Sequence, residues 1–215
     1  MYKDIEVRWS GDLPGTPEQI WDGFTRHAAA YLWPIEYEPR AGGAERGLTP
    51  GGGTVTVWEP LRRLRTEARS PEGWHNELDY TLDGAHLTYV HTSVMQDSEL
   101  EVQYDSCVQH TRFYLHSLGE YLGHFAGRDP HYLGLDEVPG TTADVLARLG
   151  IDAQVGERTA LGVVDCRDGT MVGVRSDDAL VRVYGRDVWG WPVGVGVHSF
   201  AGPVDEAAWR EKAAA

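Results

Sequence analysis

Residues 104–125 read YDSCVQHTRFYLHSLGEYLGHF, and the spacing of their apolar side chains decides the fold. Val108, Thr111, Leu115, Leu118, Leu122 and Phe125 recur at alternating steps of three and four. That stripe predicts a helix of about six turns with one continuous buried face. Gln109, Arg112, His116, Glu120 and His124 fall on the opposite side, so the helix is amphipathic and lies on something. Nearly everything before it reads as strands. A long helix after a run of strands fits one laid across a curved antiparallel sheet.

The strands begin with Ile5, Val7 and Trp9, which alternate with polar residues as a half-buried strand does. After a turn, Thr16-Pro17-Glu18-Gln19 combines an N-cap Thr, a Pro at the first helical position and a capping-box Gln. Ile20, Trp21 and Phe24 form the buried face of that short helix, and a second is expected over His27 to Trp33, stopped by Pro34. A short strand over Ile35 to Glu38 precedes the Gly- and Pro-rich Pro39 to Gly53, which reads as a mobile loop. Strands follow over Thr54 to Glu59 and Leu61 to Ala68.

Asp83-Gly84 separates two alternating stretches and predicts a type I′ hairpin. In that register Leu82 faces Ala85, Tyr80 faces Leu87, Leu78 faces Tyr89, Asn76 faces His91 and Trp74 faces Ser93. All ten share one face, apolar near the turn and polar and aromatic away from it. Asn76 and His91 on an inner face need partners or water. They form either a hydrogen-bonded core pair or part of a cavity wall.

Beyond the long helix, Gly127 to Gly140 reads as a linker with two prolines. Thr141-Thr142 caps a short helix ending at Leu149. Strands are expected over Thr159 to Asp165, Thr170 to Arg175, Ala179 to Tyr184 and Val193 to Phe200, with Asp168-Gly169 as a turn, then a helix over Asp205 to Ala214. Trp189 and Trp191 in a Gly-rich stretch suit a packing role, over an open sheet edge or a cavity mouth.

Composition narrows the function. The chain has 215 residues, 41% hydrophobic and 24% charged, an ordinary globular balance. A net charge of −14 argues against nucleic acid or an anionic membrane surface as partner. No basic start followed by an apolar run marks a signal peptide, and no stretch approaches a membrane span, so the expected location is cytoplasmic, without membrane insertion. Cys107 and Cys166 stand far apart, which argues against a disulfide framework or structural zinc. Gly51-Gly52-Gly53 precedes a strand rather than a helix and lacks the context of a phosphate loop. His110, His116 and His124 share the long helix without the i, i+4 spacing of a metal pair. Neither a metal nor a cofactor is expected. Eight Trp and ten Tyr against four Phe supply aromatics with polar handles, suited to a cavity for an amphipathic molecule.

Thr16-Pro17-Glu18-Gln19-Ile20-Trp21-Asp22-Gly23-Phe24-Thr25, Gly42-Gly43, and Gly53-Thr54-Val55 running into Trp58-Glu59-Pro60-Leu61-Arg62-Arg63-Leu64 together resemble the START-like (SRPBCC) superfamily. Within it they resemble the branch of homologues of the activator of the heat-shock-protein-90 ATPase. Leu115, Leu118, Tyr121 and Leu122 sit where that branch has its leucine-rich last helix. The branch often has a Trp at the start of that helix, where this chain has Thr111 after His110, and the exchange is expected to leave space at one end of the groove or room for a polar ligand group.

The resemblance implies an α+β helix-grip fold (START/Bet v 1-like), a curved antiparallel β-sheet wrapped around a long C-terminal α-helix with a cavity between. It covers roughly residues 4 to 127. The division expected is 1–130 as the helix-grip domain and 131–215 as a small αβ extension, packing on the first domain or on a partner. The function expected is non-catalytic binding of a small hydrophobic or amphipathic ligand, lipid or polyketide-like. Trp21, Trp33, Trp58, Trp74, Asn76, Tyr80, Tyr89, His91, Thr111 and Leu115 are the candidate ligand-binding residues. Two alternatives remain open: a polyketide cyclase- or dehydratase-like enzyme with His91 as acid–base group, and a chaperone-accessory or protein-interaction module, including a homodimer.

Overall fold

The computed structural model describes residues 2–214. The first part of the chain runs β1 (Tyr2–Asp12), α1 (Pro17–Thr25), β2 (Glu36–Tyr37), β3 (Gly43–Arg46), β4 (Gly53–Glu59), β5 (Arg63–Arg69), β6 (His75–Asp83), β7 (His86–Gln96) and α2 (Leu100–His124). Its seven strands form one antiparallel sheet in the order β1-β7-β6-β5-β4-β3-β2. The chain continues with β8 (His131–Val138), α3 (Thr142–Leu149), β9 (Arg158–Thr159), β10 (Gly162–Asp168), β11 (Met171–Arg175), β12 (Ala179–Tyr184), β13 (Val193–Ser199) and α4 (Glu206–Ala214). These strands form a second antiparallel sheet, β8-β13-β12-β11-β10-β9. The architecture is the α+β helix-grip fold with a small αβ part after the long helix.

Local chemistry explains the first elements. Ile5 and Val7 are buried in β1 between exposed neighbours. The Thr16 hydroxyl accepts from the Gln19 backbone N–H at 3.3 Å while Gln19 Oε1 accepts from the Thr16 N–H at 2.9 Å, the reciprocal pair that starts α1. Ile20 and Phe24 from α1, Leu64 and Leu87 from the sheet, and Leu118 from α2 are completely buried together. Each such side chain contributes roughly 1.5–3 kcal/mol relative to exposure.

Four sequence expectations need correction. The stretch expected as a mobile loop over 39–53 contains β3, which pairs with β2 and β4. The stretch expected as a linker over 127–140 contains β8, which pairs with β13. Pro130 and Pro139 flank that strand without interrupting it, so both prolines keep the ladder intact. The helix expected over His27 to Trp33 shrinks to a single 3₁₀ turn at Ala28–Ala30.

The fourth correction is the hairpin register. Asp83 pairs with His86, so the two-residue turn is Gly84-Ala85, and Tyr80 faces Tyr89, Leu78 faces His91 and Asn76 faces Ser93. A type I′ turn at Asp83-Gly84 needs positive φ at both residues, but Gly84 alone carries it, at +60°. Glycine therefore takes the first central position, the type II′ pattern. The same happens at Asp168, which pairs with Met171, leaving Gly169, φ +58°, at the start of the turn. A shift of two residues preserves which side chains share a face. The inner face is the expected one.

α2 also has a second partner. Thr111, Leu115, Leu118, Leu122 and Phe125 are buried as the stripe requires, but so are Phe113 and Ser117 behind them. Phe113 packs with Met171 and Tyr184 of the second sheet. Arg112 pairs with Asp168, His116 Nε2 lies 3.0 Å from Asp165 Oδ1, and Arg175 Nε donates to Glu120 at 2.7 Å. The helix is gripped from both sides, and its polar residues meet Asp165, Asp168 and Arg175 of the second sheet.

Candidate functional site

Between the inner face of β6 and β7 and the N-terminal half of α2 lies a partly open cavity of about 260 Å³. β6 and the residues before it contribute Trp74, Asn76, Leu78 and Tyr80, and β7 contributes Tyr89 and His91. The alternation of strand side chains places them all on one wall. α2 supplies Cys107, His110, Thr111, Tyr114 and Leu115, spaced so that one helix face forms the opposite wall. Tyr31, Leu32 and Trp33 after the 3₁₀ turn, with Leu48 and Pro50 from the β3–β4 connection, complete it. Among the described residues no Lys, Arg, Asp or Glu lines this space.

The polar side chains in the wall are held in place. His91 Nε2 lies 2.6 Å from Asn76 Oδ1, and Asn76 Nδ2 donates to Thr49 Oγ1 at 3.3 Å. Glu45, buried on β3, accepts from the backbone N–H groups of Leu48 at 2.7 Å and Thr49 at 3.3 Å, which sets the connection against the cavity. Trp33 Nε1 donates to the Gly47 carbonyl at 2.6 Å and ties the same connection to the segment after the 3₁₀ turn. Asn76 and His91 are thus a bonded pair and a piece of cavity wall at once.

On the helix, His110 Nδ1 lies 2.8 Å from the Ser106 carbonyl. Its ring stacks on Tyr184 at 6.0 Å between centroids and meets Trp189 at 5.6 Å. Trp189 in turn donates from Nε1 to Asp105 at 2.9 Å, so it covers the outer side of His110.

Burial sets the protonation states. Desolvation lowers His91 to about 4. His110 also falls to about 4, through desolvation first, against the favourable Ser106 carbonyl and with a further push from Arg186. Both imidazoles are therefore neutral at pH 7. Desolvation likewise raises Cys107 to about 11, an unreactive thiol, and pushes Tyr31, Tyr89 and Tyr114 above the ordinary phenol value.

Of the sequence candidates, Trp33, Trp74, Asn76, Tyr80, Tyr89, His91, Thr111 and Leu115 come together around this cavity. Trp21 and Trp58 do not. They pack edge to face at 5.2 Å in a separate surface depression with Tyr37 and Pro60. Phe24 is the α1 side chain that reaches Tyr80, stacking at 5.0 Å. Sequence reasoning missed His110, Tyr114 and Tyr31. The first two lie one residue round from the stripe Thr111–Leu115, so helical spacing from Cys107 would have found them. Among the described residues no group of His, Cys, Asp and Glu has a metal-site arrangement, and no helix is long and apolar enough to cross a membrane.

Fold and cavity together define a helix-grip protein with an internal, uncharged, aromatic-walled pocket. No protein-family model and no curated protein sequence matches the chain. Solved structures do resemble it. Protein MLL2253 from Mesorhizobium loti is 16% identical over 57% of this chain and 98% of its own, with a TM-score of 0.45. DynU16, from the dynemicin biosynthetic locus, is 15% identical over 96% of this chain and 91% of its own, with a TM-score of 0.42. The Aha1 dimer from Colwellia psychrerythraea is 15% identical over 55% of this chain and 96% of its own, with a TM-score of 0.40.

Proposed function

We propose that this chain is a non-catalytic binding protein for one compact amphipathic molecule, held between β6, β7 and the N-terminal half of α2. The observation that carries the reading is the cavity itself. It has apolar and aromatic walls with a few fixed polar groups, the composition of small-molecule sites. Its volume of about 260 Å³ sits just under the usual ligand-pocket range of roughly 300–1,000 Å³. That size suits a small ring system better than a lipid with two acyl chains.

What weighs for binding over acid–base chemistry is the state of His91. Lowered to about 4, it is a neutral ring at pH 7 with no acidic imidazolium proton to give, and it is a weak base. Among the described residues no charged side chain lines the cavity to steady a developing charge.

Leu115→Trp tests the reading. Leu115 is 3% exposed and lines the cavity from α2, so the larger indole takes up the space a ligand needs. The wild type is expected to bind 2-naphthol at one site per chain in a fluorescence titration, and the variant to keep its fold by circular dichroism while losing that binding. Equal binding by both proteins would place the ligand elsewhere.

A further inference from the structure

The two cavity histidines have a polarity that the shape alone does not reveal. His110 Nδ1 faces a backbone carbonyl, which only accepts, so Nδ1 carries the proton of the neutral ring. Nε2 is then a bare acceptor. His91 Nε2 faces Asn76 Oδ1, with the Asn76 amide nitrogen turned to Thr49, so Nε2 carries the proton there. Nδ1 is the bare acceptor on that ring. Among the described residues neither bare nitrogen has a hydrogen-bond partner in the protein, yet both rings line the cavity.

One ring comes from β7 and one from α2, so the two belong to opposite walls of the same space. Tyrosine and threonine hydroxyls in the wall can give or take a hydrogen bond, and fit either kind of ligand. The histidine nitrogens are more selective: the Ser106 carbonyl fixes His110 Nε2 as an acceptor, and the Asn76 amide as oriented makes His91 Nδ1 one. A ligand must bring donors to them or leave two acceptors dry, and an unsatisfied polar group in a dry site costs free energy. A carboxylate brings only lone pairs and finds no cation in the wall. The net charge of −14 adds a further, long-range bias against anions.

Resting on the binding function proposed above, we infer that the cavity selects an uncharged hydroxylated aromatic, a phenol or enol, whose O–H groups donate to His110 Nε2 and His91 Nδ1. The locking contacts make this a built preference. His110 is fixed by Ser106 and Trp189 and stacks on Tyr184, and His91 is fixed by Asn76. His110 cannot turn its donor nitrogen inward without breaking its bond to the Ser106 carbonyl, and His91 exchanges its donor and acceptor nitrogens only if the Asn76 amide turns over with it.

Three probes of nearly the same shape separate the possibilities: 2-naphthol, its methyl ether and 2-naphthoate, each titrated into the full chain at pH 7. The expected order is 2-naphthol first, the ether weaker by about tenfold, the loss of about one hydrogen bond to a buried acceptor, and the carboxylate weakest. His110→Phe, and separately His91→Phe, is expected to shrink the preference for naphthol over ether, with melting temperatures reported alongside to exclude misfolding. Equal affinity for naphthol and ether in the wild type, or tightest binding of the naphthoate, would overturn the inference while leaving a binding cavity in place. Failure of all three to bind would remove the cavity reading as well.

Discussion

Lowering the pH from 7 to 5 should weaken this fold steeply, because three histidines are buried in the neutral state. His91 and His110 ionise at about 4 and His198 at about 3. His198 is fully buried, donates from Nδ1 to the Ala29 carbonyl at 2.8 Å and lies near the Arg182 guanidinium; its shift comes first from desolvation, opposed by that hydrogen bond and reinforced by Arg182. In the unfolded chain each would ionise near 6.5. Between about pH 6.5 and 4 the unfolded state therefore binds protons that the native state refuses, and stability falls as the pH falls. Each histidine contributes at most about 1.4 kcal/mol per pH unit in that window, so the three together approach roughly 4 kcal/mol per unit. From pH 6.5 to 5 the loss is about 5 kcal/mol, because the slope is only half its maximum at pH 6.5, and this is comparable with the whole stability of an ordinary domain, about 5–15 kcal/mol. Below pH 4 the native rings at about 4 also take up protons and the decline flattens. Urea denaturation followed by tryptophan fluorescence at pH 7, 6, 5.5 and 5 reads the slope directly. His110→Gln should reduce it by about a third. Constant stability from pH 6.5 to 5 would refute the assignment of three neutral buried imidazoles.

Other consequences follow from the interface behind α2. Arg182 is fully buried and its Nη1 donates to Asp165 Oδ2 at 2.9 Å, with Asp165 itself 3% exposed at the side chain. Asp165→Asn leaves a buried guanidinium without its counter-charge and should cost about 3–5 kcal/mol in a denaturation experiment. Gly173→Ala should do comparable damage, since an added Cβ would lie 2.6 Å from Arg182 Nη1 and closer still to Asp165. Trp58→Phe changes a tryptophan outside the cavity and should leave 2-naphthol affinity unchanged, measured by the same titration.

The sequence made the inner faces legible and left their partners hidden. Strand alternation assigns Trp74, Asn76, Tyr80, Tyr89 and His91 to one face whatever the register, because a slip of two residues preserves parity. The register itself depended on which residue of Asp83-Gly84-Ala85 takes positive φ, and three residues do not settle that. The stripe on α2 was equally plain. Its back was not. Arg112, His116 and Glu120 look the same in sequence whether they face water or the side chains of Asp168, Asp165 and Arg175, all at least 49 residues away. Aromatic count pointed to a cavity but could not separate Trp33 and Trp74, which line it, from Trp21 and Trp58, which pair with each other. In the sequence His110 reads as a metal-ligand candidate, a role that depends on helical spacing, whereas its place in the wall depends on Cys107, Thr111 and Tyr114 around it.

A crystal structure with 6-bromo-2-naphthol, read at the bromine absorption edge, tests the central claim most directly. One strong anomalous peak per chain is expected between Tyr89, His91, His110 and Leu115, with the hydroxyl oxygen turned toward a histidine nitrogen. A peak only in the depression beside Trp21 and Trp58, or no peak with the cavity still vacant at saturating probe, would contradict it.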